Sequence, residues 1–133
     1  KDLSGSAFEL FRSAAAKCLS RGFQLMPAKF VEVTSSEQLD ELFSDSFDHP
    51  VALVKHSDTC GISANVMYDL REIDAVVNVI VIQQNRELSN AVADRIGHRH
   101  QSPQAFVIKD GKAIYHATHY GIDPTQIETK LRN

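Results

Sequence analysis

Tryptophan is absent from the 133 residues, and cysteine occurs only twice, as Cys18 and Cys60. Two thiols 42 positions apart make neither a CxxC pair nor a zinc-finger ligand set. A chain of this length buries roughly two thirds of the surface its unfolded form exposes, so it needs no disulfide scaffold or structural metal to hold a core. No apolar run approaches the ~18 to 20 residues of a membrane span, which excludes a membrane-spanning helix. Charge of one sign is also lacking. Fourteen Lys and Arg stand against 17 Asp and Glu, a net −3, without the basic excess that a nucleic-acid partner demands. Repeats and low-complexity tracts are missing as well. What is there, 43% hydrophobic and 23% charged residues, describes one soluble, cytoplasmic domain whose cysteines stay thiols.

The charge is unevenly spread. Residues 1–25 carry a net +2 and residues 26–133 a net −5, and Met26-Pro27 marks the junction. Within the leading piece Phe8, Phe11, Ala15, Cys18 and Gly22 recur at helical spacing, with Ala14 to Ala16 favouring helix. This predicts an N-terminal helical extension over 1–25, either non-native or docking a partner, ahead of a domain over 26–133.

From residue 29 strands and helices alternate. Lys29 to Val33 reads as a strand. Ser35 or Ser36 caps a helix through Leu39, Leu42 and Phe43 to about Phe47. Val51 to Lys55 is a continuous apolar run, the pattern of a strand covered on both faces. Ile62, Val66, Leu70 and Ile73 are spaced for a helix, and Ala75 to Ile82 is the most β-branched stretch. Glu87 to Ile96 is helical, with Gly97 as its stop. Asp110-Gly111 joins two strands, Gln104 to Lys109 and Lys112 to Ala117, in a hairpin, and Asp123-Pro124 opens a last helix to Leu131. The order β-α-β-α-β-α-β-β-α predicts a mixed central sheet with helices on both faces. That is an α/β, thioredoxin-like order.

Chemistry concentrates at His56-Ser57-Asp58-Thr59-Cys60-Gly61-Ile62-Ser63, where a covered strand gives way to a helix. A helix N-terminus presents unpaired backbone N–H groups and a partial positive charge, both of which favour an anion. A thiol in such a position gains thiolate character, and the thiolate is the attacking species in disulfide exchange. Gly61 keeps the first turn open to a bulky partner. Ser63 takes the place of a second cysteine, so Cys60 is a monothiol with no neighbour to resolve a mixed disulfide. The competing reading is a buried, inert cysteine. Ser102-Pro103, directly before a strand, supplies a candidate facing loop whose proline is trans or cis.

Several separated motifs together resemble the monothiol bacilliredoxin family of thioredoxin-like proteins. They are Val54-Lys55-His56-Ser57 through Cys60-Gly61-Ile62-Ser63, Glu87-Leu88-Ser89-Asn90, His100-Gln101-Ser102-Pro103-Gln104, and Lys109 to Lys112 with His116 to His119. The similarity spans about residues 31–131. It implies a thioredoxin fold and a monothiol disulfide oxidoreductase in which Cys60 removes bacillithiol from S-thiolated client proteins. His56 and Ser57 would form the strand-to-site loop and Ser102-Pro103 the substrate-facing loop. With Thr59, Gly61, Ile62, Ser63 and His100 they make up the expected substrate-binding set. No tightly bound cofactor is expected; the co-substrate is a small thiol, bacillithiol or glutathione. The family usually has proline after the cysteine, whereas Gly61 gives this site a likeness to monothiol glutaredoxins. That makes an iron–sulfur carrier the alternative, beside a non-catalytic thioredoxin-like binding module.

The histidines invite a metal, but His98, His100, His116 and His119 match no compact zinc pattern, and none is expected. A histidine near Cys60, His56 or His100, would stabilise the thiolate or protonate a leaving one. His116 and His119 are assigned to the sheet surface. Arg99 and Lys55 are either exposed bases or contacts to carboxylates of the small thiol. Cys18 is either a buried small hydrophobe of the leading helix or a resolving thiol.

Overall fold

The structure, a computed structural model, describes residues 27–132. The helix expected over 1–25, Cys18 and the domain start at Met26 lie outside the described residues. The elements follow the order expected: β1 (Lys29–Glu32), α1 (Ser36–Asp45), β2 (Val51–His56), α2 (Gly61–Leu70), β3 (Val76–Val81), α3 (Arg86–Ile96), β4 (Gln104–Lys109), β5 (Lys112–Thr118) and α4 (Pro124–Leu131), with a 3-10 turn at His119–Gly121 between β5 and α4.

Local chemistry sets the boundaries. Ser35 caps α1 by accepting the N–H of Gln38, a Ser/Thr/Asp/Asn-type cap that satisfies one orphan donor. Gly97 ends α3 in the left-handed region at φ +85°, where the absence of a Cβ removes the steric cost. Asp110 and Gly111, at φ +54° and +75°, turn the β4–β5 hairpin with both central residues left-handed, as the twist of a two-residue connection favours. Asp123 accepts the N–H of Thr125 at the start of α4, and Pro124 occupies the first helical position. Two helices end earlier than the apolar spacing predicts. α1 stops at Asp45, because Ser46 is fully buried and is held at the hairpin by the N–H groups of Asp110 and Gly111. α2 stops at Leu70, although Ile73 beyond it is still buried.

The five strands lie in the order β1-β3-β2-β4-β5. β1 and β2 flank β3 in parallel, β4 runs antiparallel to β2, and β5 antiparallel to β4. Alternation along the central strands divides the interior into two cores. On one face Val51, Leu53, Ile80, Phe106 and Ile108 pack under Leu39, Leu42 and Phe43 of α1 and Leu88 and Val92 of α3. On the other Ala52, Val54, Val77, Val79, Ala105 and Val107 pack under Val66 and Leu70 of α2 and Ile127 of α4. β2 thus has both faces covered, and its C-terminal end delivers His56 to the start of α2.

Candidate active site

Cys60 is the N-cap residue of α2, in an extended conformation with φ −109° and ψ 121°. Its side chain makes no capping hydrogen bond. The thiol is free and half-buried, so it stands beside unpaired N–H groups that favour an anion. The cysteine is therefore not fully buried, as the inert alternative would require. The loop from β2 bends back on itself, with the Cys60 N–H donating to the Ser57 carbonyl at 3.3 Å. At Gly61 nothing lies within 4 Å of the position a Cβ would occupy, which leaves the first turn open.

Ser63 occupies the position of a second thiol, and its side chain is committed elsewhere. Fully buried, its Oγ accepts the N–H of Ser57 at 3.1 Å and lies 2.7 Å from Nδ1 of His56. The hydroxyl therefore staples the end of β2 to the first turn of α2. Burial lowers the pKa of His56, with the Asp58 carboxylate acting in the opposite sense. Ile62 is half-buried and Thr59 exposed.

Antiparallel pairing sets Gln104 at the start of β4 opposite Lys55 near the end of β2, so the Ser102–Pro103 loop and the start of α2 lie at the same end of the sheet. The Ser102–Pro103 peptide bond is cis, and the Pro103 carbonyl accepts the N–H of His119. Ser102 Oγ is buried with no hydrogen-bond partner, the one such side-chain atom among the described residues.

His100 is held by partners other than the cysteine. Its Nδ1 lies 2.8 Å from Ser89 Oγ and 3.4 Å from Lys55 Nζ, on the face covered by α3. Lys55 is fully buried, not an exposed base or a carboxylate contact, because alternation along β2 turns it inward beside Leu53. Burial lowers its pKa to about 8, and its Nζ lies 6.0 Å from the centroid of the Phe106 ring. His116 is likewise not on an open sheet surface. It stacks on His98 at 3.9 Å and on Phe106 at 5.2 Å and meets Gln104 Nε2 at 2.9 Å. Gln104, fully buried, also donates to the Arg99 carbonyl and accepts from Gln101 N–H. This cluster fixes the 98–104 loop from behind. Burial foremost, then the neighbouring cations, lowers the pKa of both His100 and His116. No group of three His, Cys, Asp or Glu placed to hold a metal occurs among the described residues.

One site residue had no sequence signal. Gln83, two positions past β3, binds all three residues of the Ser57–Thr59 loop. A single exposed glutamine after a strand carries no motif, and only the pairing of β2 with β3 brings it there.

Residues 31–127 match the family model of monothiol bacilliredoxin BrxC. The chain belongs to this bacilliredoxin family. A solved protein described as having a thioredoxin fold is 30% identical, with a TM-score of 0.67, covering 76% of this chain and 92% of that one. A mutant thioredoxin from Halobacterium salinarum NRC-1 is 21% identical with a TM-score of 0.57, over 78% and 88% of the two chains. Thioredoxin O1 from Arabidopsis thaliana is 18% identical with a TM-score of 0.59, over 76% and 93%. The last two share the fold. Membership of the bacilliredoxin family on a thioredoxin fold supports a thiol–disulfide oxidoreductase-like, redox role. No helix among the described residues is long and apolar enough to cross a membrane.

Proposed function

We propose that this bacilliredoxin-family chain removes a low-molecular-weight thiol of the bacillithiol class from mixed disulfides on client proteins, with Cys60 as the nucleophile. The observation that carries this reading is the pairing of a half-exposed Cys60 at the uncapped start of α2 with a fully buried, hydrogen-bonded Ser63 three residues on. The first can attack, and nothing at the second position can resolve.

In the forward step the Cys60 thiolate attacks the small-thiol sulfur of the mixed disulfide. The old S–S bond breaks, the client sulfur leaves as a thiolate and takes up a proton, and the small thiol stays bonded to Cys60. A second small thiol, as its thiolate, then attacks that sulfur. This forms the oxidised small-thiol dimer and frees Cys60, so one free small thiol is oxidised for each client sulfur reduced and the number of disulfides is unchanged. The open space at Gly61 admits the bulk of the adduct, and the Pro103 loop offers backbone for an extended client segment to pair with.

A model protein thiolated with bacillithiol tests this. Wild-type chain is expected to release the small thiol, and Cys60→Ser to release none above the uncatalysed rate. Release undiminished in Cys60→Ser overturns the mechanism.

A further inference from the structure

Gln104 is fully buried at the start of β4, and both ends of its amide are committed. Its Nε2 donates to the Arg99 carbonyl at 2.9 Å, and its Oε1 accepts the Gln101 N–H at 3.3 Å. A carbonyl can only accept and a backbone N–H can only donate, so these two partners fix which end of the amide is which. The second hydrogen on Nε2 is left for Nε2 of His116, 2.9 Å away. That ring nitrogen must accept, which makes His116 a neutral imidazole with its hydrogen on Nδ1. A proton on His116 Nε2 would set two N–H groups against each other. Turning the Gln104 amide over relieves that clash only by setting its oxygen against the Arg99 carbonyl and its NH2 group against the Gln101 N–H. His100, the loop's other anchor, differs: Ser89 Oγ, 2.8 Å from its Nδ1, can donate to the ring or accept from it.

We propose that Gln104 and His116 form a proton-sensitive latch on the Ser102–Pro103 loop, closed while His116 is neutral and released by a proton on its Nε2. This rests on the reading of that loop as the surface with which a client segment pairs, and adds to it a means of regulation. The latch reaches the loop from both sides. Gln104 follows Pro103 directly and holds Arg99 and Gln101 ahead of it. The strand that carries His116 runs on to His119, whose N–H donates to the Pro103 carbonyl at 3.1 Å. The groups facing His116 favour the neutral ring. Phe106 stacks on it at 5.2 Å and His98 at 3.9 Å, and burial foremost, then His98 and Lys55, lowers its pKa below the usual histidine value. The latch is therefore closed at neutral pH and opens on acidification.

The test is NMR of the nitrogen-labelled full chain from pH 7 downwards, following the His116 ring nitrogens and backbone amide exchange at the same pH values. At pH 7 His116 is expected to be neutral with its hydrogen on Nδ1. As it takes up its proton, the Gln101 and His119 amides are expected to exchange about 10-fold faster relative to their intrinsic rates, the effect of losing one buried hydrogen bond. They are expected to do so ahead of the amides of β2 and β4, whose exchange reports opening of the whole sheet. His116→Gln, whose side-chain carbonyl accepts from Gln104 and takes up no proton, is expected to keep both loop amides protected over the same range. A His116 with its hydrogen on Nε2 at pH 7, or loop protection that is unchanged through the His116 titration or lost only together with that of β2 and β4, overturns the proposal. So does the same acid-induced loss in His116→Gln. Loop exchange is read without any thiol chemistry, so this inference and the proposed reaction fail separately.

Discussion

At the scale of single residues the departure at Gly61 and the burial of Lys55 have opposite consequences. Gly61 is the first residue of α2, where a proline's missing N–H is least costly. The preceding Cys60 is already extended, at ψ 121°, as a residue before proline must be. Nothing stands within 4 Å of a Cβ there. Gly61→Pro, the residue usual in the family, is therefore expected to stabilise the fold by about 0.4–1 kcal/mol, read as a raised denaturant midpoint at constant m-value. Lys55 carries a cost. Its pKa falls from 10.5 to about 8 on folding, so the unfolded chain binds more protons between those values and stability rises with pH across that window. Below about pH 8 the full penalty applies. Lys55→Met is expected to stabilise by about 1–3 kcal/mol at pH 7 and to remove the rise between pH 8 and 10.5. Thermal melts at pH 7 and 10 check both halves. Neither Lys55 nor Gln83 could be read in advance. The lysine closes an apolar run, but its polar partner His100 lies 45 positions away, and the glutamine's partners lie in a loop 24 to 26 positions earlier. The place of Cys60 at a helix start was legible because its signal is local: an apolar strand, a polar turn and a helical period in direct succession.

At the scale of elements the 98–104 loop is the segment whose anchoring was hidden. A polar stretch before a strand reads as open loop, and His116 as surface. The β4–β5 register places His116 opposite Phe106, so His116 stacks on that ring, and His98 stacks in turn on His116. The imidazoles lie among cations: Lys55 and Arg86 act on His100, and His98 and Lys55 on His116. Lowered pKa values mean that the unfolded chain takes up protons first as pH falls below the ordinary histidine value of about 6.5. Stability contributed by the neutral rings is then lost on acidification. Wild-type chain is expected to melt at lower temperature at pH 5 than at pH 7, and the double variant His100→Gln/His116→Gln to show a smaller drop over the same interval. An equal drop in both would locate the acid sensitivity elsewhere. Strands, helices and the Asp110-Gly111 turn, by contrast, were legible to within two or three residues, because period, caps and turn chemistry act over only a few positions.

At the scale of the molecule, the alternation of apolar residues along β2 and β4 dictates two cores that share one sheet. Leu39, fully buried on α1, belongs to the first, and Ile127, 1% exposed on α4, to the second. Their helices lie on opposite faces, yet each packs on β2 and β4. Because the strands are common property, neither core persists when the other melts, and the domain unfolds as one unit. Leu39→Ala and Ile127→Ala each remove a large side chain from a tightly packed site, at an expected cost of about 2–5 kcal/mol. With no side chain in common, the two costs are expected to add to within about 0.5 kcal/mol in the double variant. Each single variant should still show one transition, coincident in far-ultraviolet circular dichroism and in tyrosine fluorescence, which is free of tryptophan background because the chain contains none. A biphasic melt in either single variant, with one phase at the wild-type midpoint, would show that the two faces fold independently and that the sheet does not couple them.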